Sequence, residues 1–191
     1  MEYLGEFMSY ILFAVFAQNM LLHKAIGMSD ILTAVSHRRS LPKLLLLVGC
    51  WSGVGIMMMW FLSGFVTDMN GYIVFALFHT LLCAVMYFAT DRLLARFNPE
   101  AYDRWGKIMP HALINSIAVG APISALASGI PSWYAALGYG VGSALGLGLG
   151  IVIIKNGMEI LDHPGIPKSF RGVPIMLIYI GILSLGFCAF L

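Results

Sequence analysis

The chain has 191 residues, 60% of them hydrophobic and only 10% charged, with a mean hydropathy of +0.88. That balance excludes an ordinary soluble domain and reads as one compact all-α integral-membrane domain, with no room for a soluble catalytic unit and no nucleic-acid partner. The net charge of +2 says little as a total, and the three cysteines form neither a CxxC nor a Cys/His cluster, which argues against a disulfide framework or a zinc site.

Cutting at charges and helix breakers gives six apolar spans, at about 5–23, 43–66, 70–90, 108–128, 132–154 and 173–191. The first is the shortest. Glu6 and Lys24 leave barely enough residues between them to cross, and Gln18-Asn19 falls inside the run. Glu2 and Glu6 replace the basic stretch of a signal peptide, so this run is expected to be a retained span. HKAIGMSD follows, and there Gly27 and Ser29 precede the short apolar fragment ILTAV. The pattern is a half-helix, a polar break and a short continuation. The third span carries His79-Thr80 near its middle. An intramembrane histidine is a functional candidate by default, and a hydrogen bond to a neighbouring helix explains it equally well. His23 and His111 fall near expected membrane boundaries, where interfacial solvation accounts for them.

The fourth span opens with IMPHALINSIAVGAPIS, from Ile108 to Ser124. Pro110 and Pro122 each remove a backbone donor, Gly120 loosens the helix, and Asn115-Ser116 sets polar side chains between the prolines. In hydrocarbon, unsatisfied amides and carbonyls are costly, so a broken helix with a polar centre points towards protein, a pore or a ligand. The plainer reading is a kinked helix whose Asn bonds a neighbour. In the fifth span, Gly138, Gly142, Gly146 and Gly150 recur every fourth residue and line one helix face, where another backbone can approach closely. These glycines do not form a soluble dinucleotide-binding turn, since no strand precedes them.

All eleven Lys and Arg residues fall in the three connections that six crossings place on one side of the membrane: 24–43, 92–107 and 155–171. The other side holds Glu2, Glu6 and Asp68 and no basic residue. The positive-inside rule then puts both termini outside the cytoplasm, in a bacterial or archaeal cytoplasmic membrane. The interrupted spans are the first and fourth, which correspond in two halves of about 1–95 and 100–191. Three crossings per half give the halves opposite senses, so inverted repeats with paired broken helices are expected, with a midplane site between them. The residues expected to converge there, as a substrate or ion pathway, are Asn19, Gly27, Ser29, Asn115, Ser116 and Gly120.

Several stretches resemble the small six-helix subunits of the Rnf/Nqr family, the membrane complexes that couple redox chemistry to sodium or proton movement. They are QNMLLHKAIGMS, the run TDRLLARFNPEAYDRWGKIMPHALINSIAVG from Thr90 to Gly120, Glu159 within NGMEIL, and IPKSFRG ahead of the last span. By its basic first loop the chain is similar to the family's N-terminus-out subunit. The resemblance implies pairing with a homologous six-helix subunit of opposite orientation, or with a second copy, and further redox-complex subunits. It also implies one cysteine in each broken helix, holding an iron–sulfur cluster between paired subunits. Here Ser29 and Ser116 match those positions, and Cys50, Cys83 and Cys188 lie elsewhere. A hydroxyl does not replace a soft thiolate, so no cluster or metal is expected on this chain. No catalytic residue is expected either, since no nucleophile–base–orienter set can be assembled from so few polar groups. The expected role is that of an ion-translocating electron-transport subunit without its own cluster. The alternative is a cluster-free transporter of a small solute or cation, built from paired inverted units.

Overall fold

The first helix, α1 (Glu2–Leu12), runs directly into a π-helical turn, Phe13–Ala17. The computed structural model describes residues 2–27, 41–65, 69–106, 109–110, 116–161 and 163–190. Within them follow α2 (Leu41–Leu62), α3 (Met69–Phe97) and the short α4 (Pro99–Trp105). The second half holds α5 (Ser116–Ala127), α6 (Trp133–Leu161) and α7 (Val173–Phe187). No strand occurs among the described residues. Helices α2, α3 and α6 are long and apolar enough to cross a bilayer, and α5 and α7 are shorter apolar helices. This is an all-α membrane protein.

Three element boundaries differ from the sequence expectation, each for a local reason. Helix α3 continues past residue 90 to Phe97, because LLAR and its neighbours are good helix formers in water as in lipid. Asn98 ends it and caps the next helix: the Ala101 N–H donates to Asn98 Oδ1 at 3.0 Å, with Pro99 in the first turn. Helix α6 likewise runs on to Leu161. The first helix stops at Ala17 instead of near residue 23, for a reason that belongs to the site described below.

Helix α6 is the centre of the packing. It lies against α1 with its π turn on one side and α2 on another, with α7 alongside, while α5 packs on α2 and α3 leans on α5. Of the membrane-length windows, 61% of α6 is buried inside the protein against 6% of α3, so α6 is core and α3 is rim. Glycine makes this possible. A Cβ on Gly138 would stand 2.5 Å from the Phe7 carbonyl oxygen, and one on Gly142 would stand 2.6 Å from that of Ile11. One on Gly146 would lie 3.1 Å from Asn19 Nδ2, and one on Gly150 would collide with Leu21. That stripe carries the whole first segment of the chain. A second smooth face of α6 takes α2: a Cβ on Gly140 would lie 2.8 Å from Gly53 Cα, and one on Gly49 would lie 2.7 Å from Ala144 Cβ. In lipid such close approach supplies dispersion contacts where hydrophobic drive between helices is weak. At one end of the α1–α6 contact Ser132 Oγ donates to Glu6 Oε1 at 2.7 Å and accepts from the Ala135 N–H at 3.2 Å, tying α1 to the start of α6.

Candidate functional site

The site is built around the end of the first helix. Eleven residues of α1 and five of the π turn rise at most about 24 Å, short of the ~30 Å hydrocarbon core. Asn19 is what stops it. Its side chain is fully buried, and its Oδ1 accepts from the Leu21 and Leu22 N–H groups at 3.0 and 2.9 Å. Its Nδ2 donates to the Val15 carbonyl at 2.7 Å and to the Gly146 carbonyl of α6 at 3.2 Å. The side-chain amide thus does locally what the next helical turn would have done, and the backbone turns away. Two donors and two acceptor positions are all an Asn side chain has for such bonds. All are used inside the fold, so Asn19 keeps nothing for a solute.

Beyond Asn19 the chain makes successive turns to Gly27. Two residues adopt positive φ: Ala25 at 55° and Gly27 at 102°. For Ala25 this is an uncommon conformation that the surrounding structure has to hold. Gly27 is required twice over, by its φ and because a Cβ there would stand 2.6 Å from Ile117 Cδ1. Its N–H donates to Ser116 Oγ at 2.9 Å, a bond spanning 89 residues. Ser116 opens α5, and Gly120 sits one turn further along the same face. A Cβ on Gly120 would lie 3.1 Å from Ile26 Cδ1. Ser116 and Gly120 therefore receive Ile26 and Gly27, and the interruption in the first half meets the start of α5 in the second.

Of the six residues expected to converge, Gly27, Ser116 and Gly120 do come together. Asn19 is spent on the backbone of Val15, Leu21, Leu22 and Gly146. Ser29 and Asn115 lie outside the described residues, as do ILTAV and His111. Two buried polar atoms flanking Asn19, Gln18 Oε1 and His23 Nδ1, bond no described residue. Sequence reasoning notes Gln18 beside Asn19 without placing it in the site, and it assigns His23 to the interface; their only signal is that they bracket the break. His79 is also part of this neighbourhood. It is 2% exposed, with Nε2 3.1 Å from the Ala118 carbonyl oxygen of α5. Cys83 Sγ is 3.5 Å from the same nitrogen, while Cys50 and Cys188 are exposed. Among the described residues, no group of three or more His, Cys, Asp or Glu side chains could hold a metal ion.

Residues 7–191 match the family model described as Rnf-Nqr subunit, membrane protein. The chain is similar to the E subunit of the Na(+)-translocating NADH-quinone reductase of Hahella chejuensis, 30% identical over 100 residues, which is 52% of this chain and 49% of that protein. The corresponding protein of a Psychrobacter species is 29% identical over the same shares of the two chains. In these alignments the chain spans about half the length of the relative. With the counterpart from Proteus mirabilis the identity is 23% over 193 residues, covering 97% of this chain and 96% of the other.

Proposed function

Because the chain belongs to the Rnf-Nqr family of membrane subunits, we propose that it is an integral-membrane subunit of an ion-translocating electron-transport complex, and that it carries no iron–sulfur cluster of its own. The family match over residues 7–191 carries the first half of this reading. The names of the relatives, each a component of a Na(+)-translocating NADH-quinone reductase, support the complex and the ion. Ser116 supports the second half. Its hydroxyl accepts the Gly27 N–H, the behaviour of a neutral oxygen holding two segments together. A cluster needs thiolates there, so the residues present do not fit one, and no electron step is derived through it.

The chain is one membrane domain of two inverted repeats, about 1–95 and 100–191, whose interruptions face each other. The bond between Gly27 and Ser116 supports that pairing. Its partners are membrane lipid, a homologous six-helix subunit in opposite orientation or a second copy, and further redox subunits. A second reading, a cluster-free transporter of a small solute or cation, is favoured by the buried Gln18 Oε1 and His23 Nδ1 beside the break, which offer polar contacts that the described protein does not use.

Anaerobic purification of the intact complex, with iron analysis and paramagnetic resonance, tests the cluster. Removing both hydroxyls in Ser29→Ala/Ser116→Ala is expected to leave the complex's iron content and signals unchanged. A stoichiometric cluster that remains with this chain after Cys50, Cys83 and Cys188 are all changed to Ala, and is lost with Ser29 or Ser116, would overturn the reading. Ion uptake driven by NADH in vesicles that need this subunit separates the first reading from the second, which expects solute uptake by the chain without redox partners.

The same reading sets both termini outside a bacterial or archaeal cytoplasmic membrane, supported by the collection of every Lys and Arg residue into three loops of one side. A cysteine introduced beside Glu2 is expected to react with an impermeant maleimide in intact cells, and one at His37 only after lysis. Labelling at position 37 in intact cells would reverse the orientation.

A further inference from the structure

Helices α2 and α6 meet through small residues, and larger side chains stand on both sides of the contact. Gly49 lies against Ala144, Gly53 against Gly140 and Leu45 against Gly148, so the two helices run antiparallel. Backbones this close leave a trough along the outer edge of the contact. It has a volume of about 1140 Å³ and extends from Leu45 to Phe61 on α2 and from Leu137 to Val152 on α6. At ~1.5 Å per residue α2 rises about 24 Å over that length, most of the ~30 Å hydrocarbon thickness. The lining is apolar apart from the Cys50 thiol, so it offers an ion or a polar solute no ligand. A Cβ on Gly53, which lines the trough, would meet nothing within 4 Å. The two ends differ in charge. At one end Lys43 stands in the first turn of α2, just before Leu45, and Lys155 follows Val152 by less than a turn of α6. They are the first charged residues met on leaving the trough there, with Glu159 one turn beyond Lys155. Past Phe61 and Leu137, at the other end, neither helix carries a Lys or Arg.

We propose that this trough binds an anionic phospholipid, with an acyl chain along the α2–α6 seam and the phosphate at the lysine end. Charge complementarity selects the occupant. A phospholipid of this kind is apolar along its length and negative at one end, and the trough is apolar along its length and basic at one end. A helix from another subunit would use the same apolar walls and small floor, but it would leave the difference between the ends without a role. The opposite side of α6 bonds Asn19 through the Gly146 carbonyl. Lipid at the seam therefore braces the helix on which the first segment sits, whichever of the functions proposed above the chain performs.

The test uses the full chain, delipidated in a neutral detergent and titrated with phosphatidylglycerol or with phosphatidylcholine of the same acyl chains. Bound lipid is counted by native mass spectrometry. Phosphatidylglycerol is expected to bind ~10–25-fold more tightly, since a lysine near the surface is worth about fivefold. Lys155→Gln is expected to weaken phosphatidylglycerol about fivefold and to leave phosphatidylcholine unchanged. Gly53→Leu puts a side chain into the trough and is expected to weaken both lipids ~10-fold, the loss of roughly two buried methylenes. A diazirine on the acyl chain is expected to mark residues 45–61 and 137–152 in preference to the exposed Val85 and Phe88 of α3. Equal affinity for the two lipids overturns the proposal, as does unchanged binding in Lys155→Gln or in folded Gly53→Leu. Marks spread evenly over α3 mean ordinary solvation by the bilayer and overturn it too. Marks on α2 and α6 that vanish in the intact membrane complex mean that a partner subunit fills the trough, which also overturns it. Should Gly53→Leu not fold, Lys155→Gln and the marking pattern decide.

Discussion

Gly142→Leu is expected to cost the fold about 3 kcal/mol or more, seen as a lower melting temperature and loss of the native mass in detergent. The added side chain would start 2.6 Å from the Ile11 carbonyl oxygen, 2.8 Å from Ala14 Cβ and 3.0 Å from Ile11 Cα. Two of those neighbours are backbone, which cannot swing aside as a side chain can. Overpacking of a well-filled site costs typically ~1–3 kcal/mol, occasionally more, and this one inserts four heavy atoms between two helices. The helix itself gains up to ~1 kcal/mol by losing a Gly, so the steric effect wins. Gly181→Leu in α7 is the control, because a Cβ there meets nothing within 4 Å and only the propensity gain remains. If both variants melt together, α1 does not sit on the glycine stripe of α6.

Asn19→Leu is the second large effect. The volume is nearly kept, but the Val15 carbonyl loses the Asn19 donor, the Gly146 carbonyl is left with its helical bond alone, and the N–H groups of Leu21 and Leu22 lose their acceptor. Each buried group left unsatisfied costs roughly 1–3 kcal/mol, and shared relaxation makes the total smaller than the sum. A loss on the order of 4 kcal/mol is expected, with fast exchange at the Leu21 and Leu22 amides as its local signature. A pathway residue would behave differently: activity would fall and the fold would stay. A folded Asn19→Leu protein with protected amides at 21 and 22 would return Asn19 to the pathway. Gly146 couples the two predictions, since a side chain there first meets the Asn19 amide.

Asn19 also marks the limit of what the amino-acid sequence makes legible. Its polarity inside an apolar run is visible, and so is the shortness of the span. Whether an amide turns to its own backbone or to a ligand depends on where Val15 and Gly146 lie, and Gly146 is 127 residues away. The helices themselves were legible, because apolar runs bounded by charge leave few alternatives in a membrane. Their ends were less so: Asn98 and Pro99 sit in a charged stretch that reads as a loop, yet they close one helix and cap the short α4. The spacing of Gly138, Gly142, Gly146 and Gly150 defines a face and leaves the partner open. Gly140 and Gly148, which flank that stripe, turn out to serve α2. Pro122 removes one helical N–H, while only the fold brings His79 to 3.1 Å from the Ala118 carbonyl oxygen. Neither spacing nor periodicity connects residues 79 and 118.

The contact between Asn19 and Gly146 has a consequence for how the chain is made. At ~5–20 residues per second of synthesis, the 127 residues between them take about 6–25 s to emerge. Throughout that interval α1 is too short to span and its buried amide has no α6 to bond. The amide of Asn19 therefore meets its partner on α6 only when the fifth span has been made. Only then does the N-terminal end of the chain acquire its seat on α6.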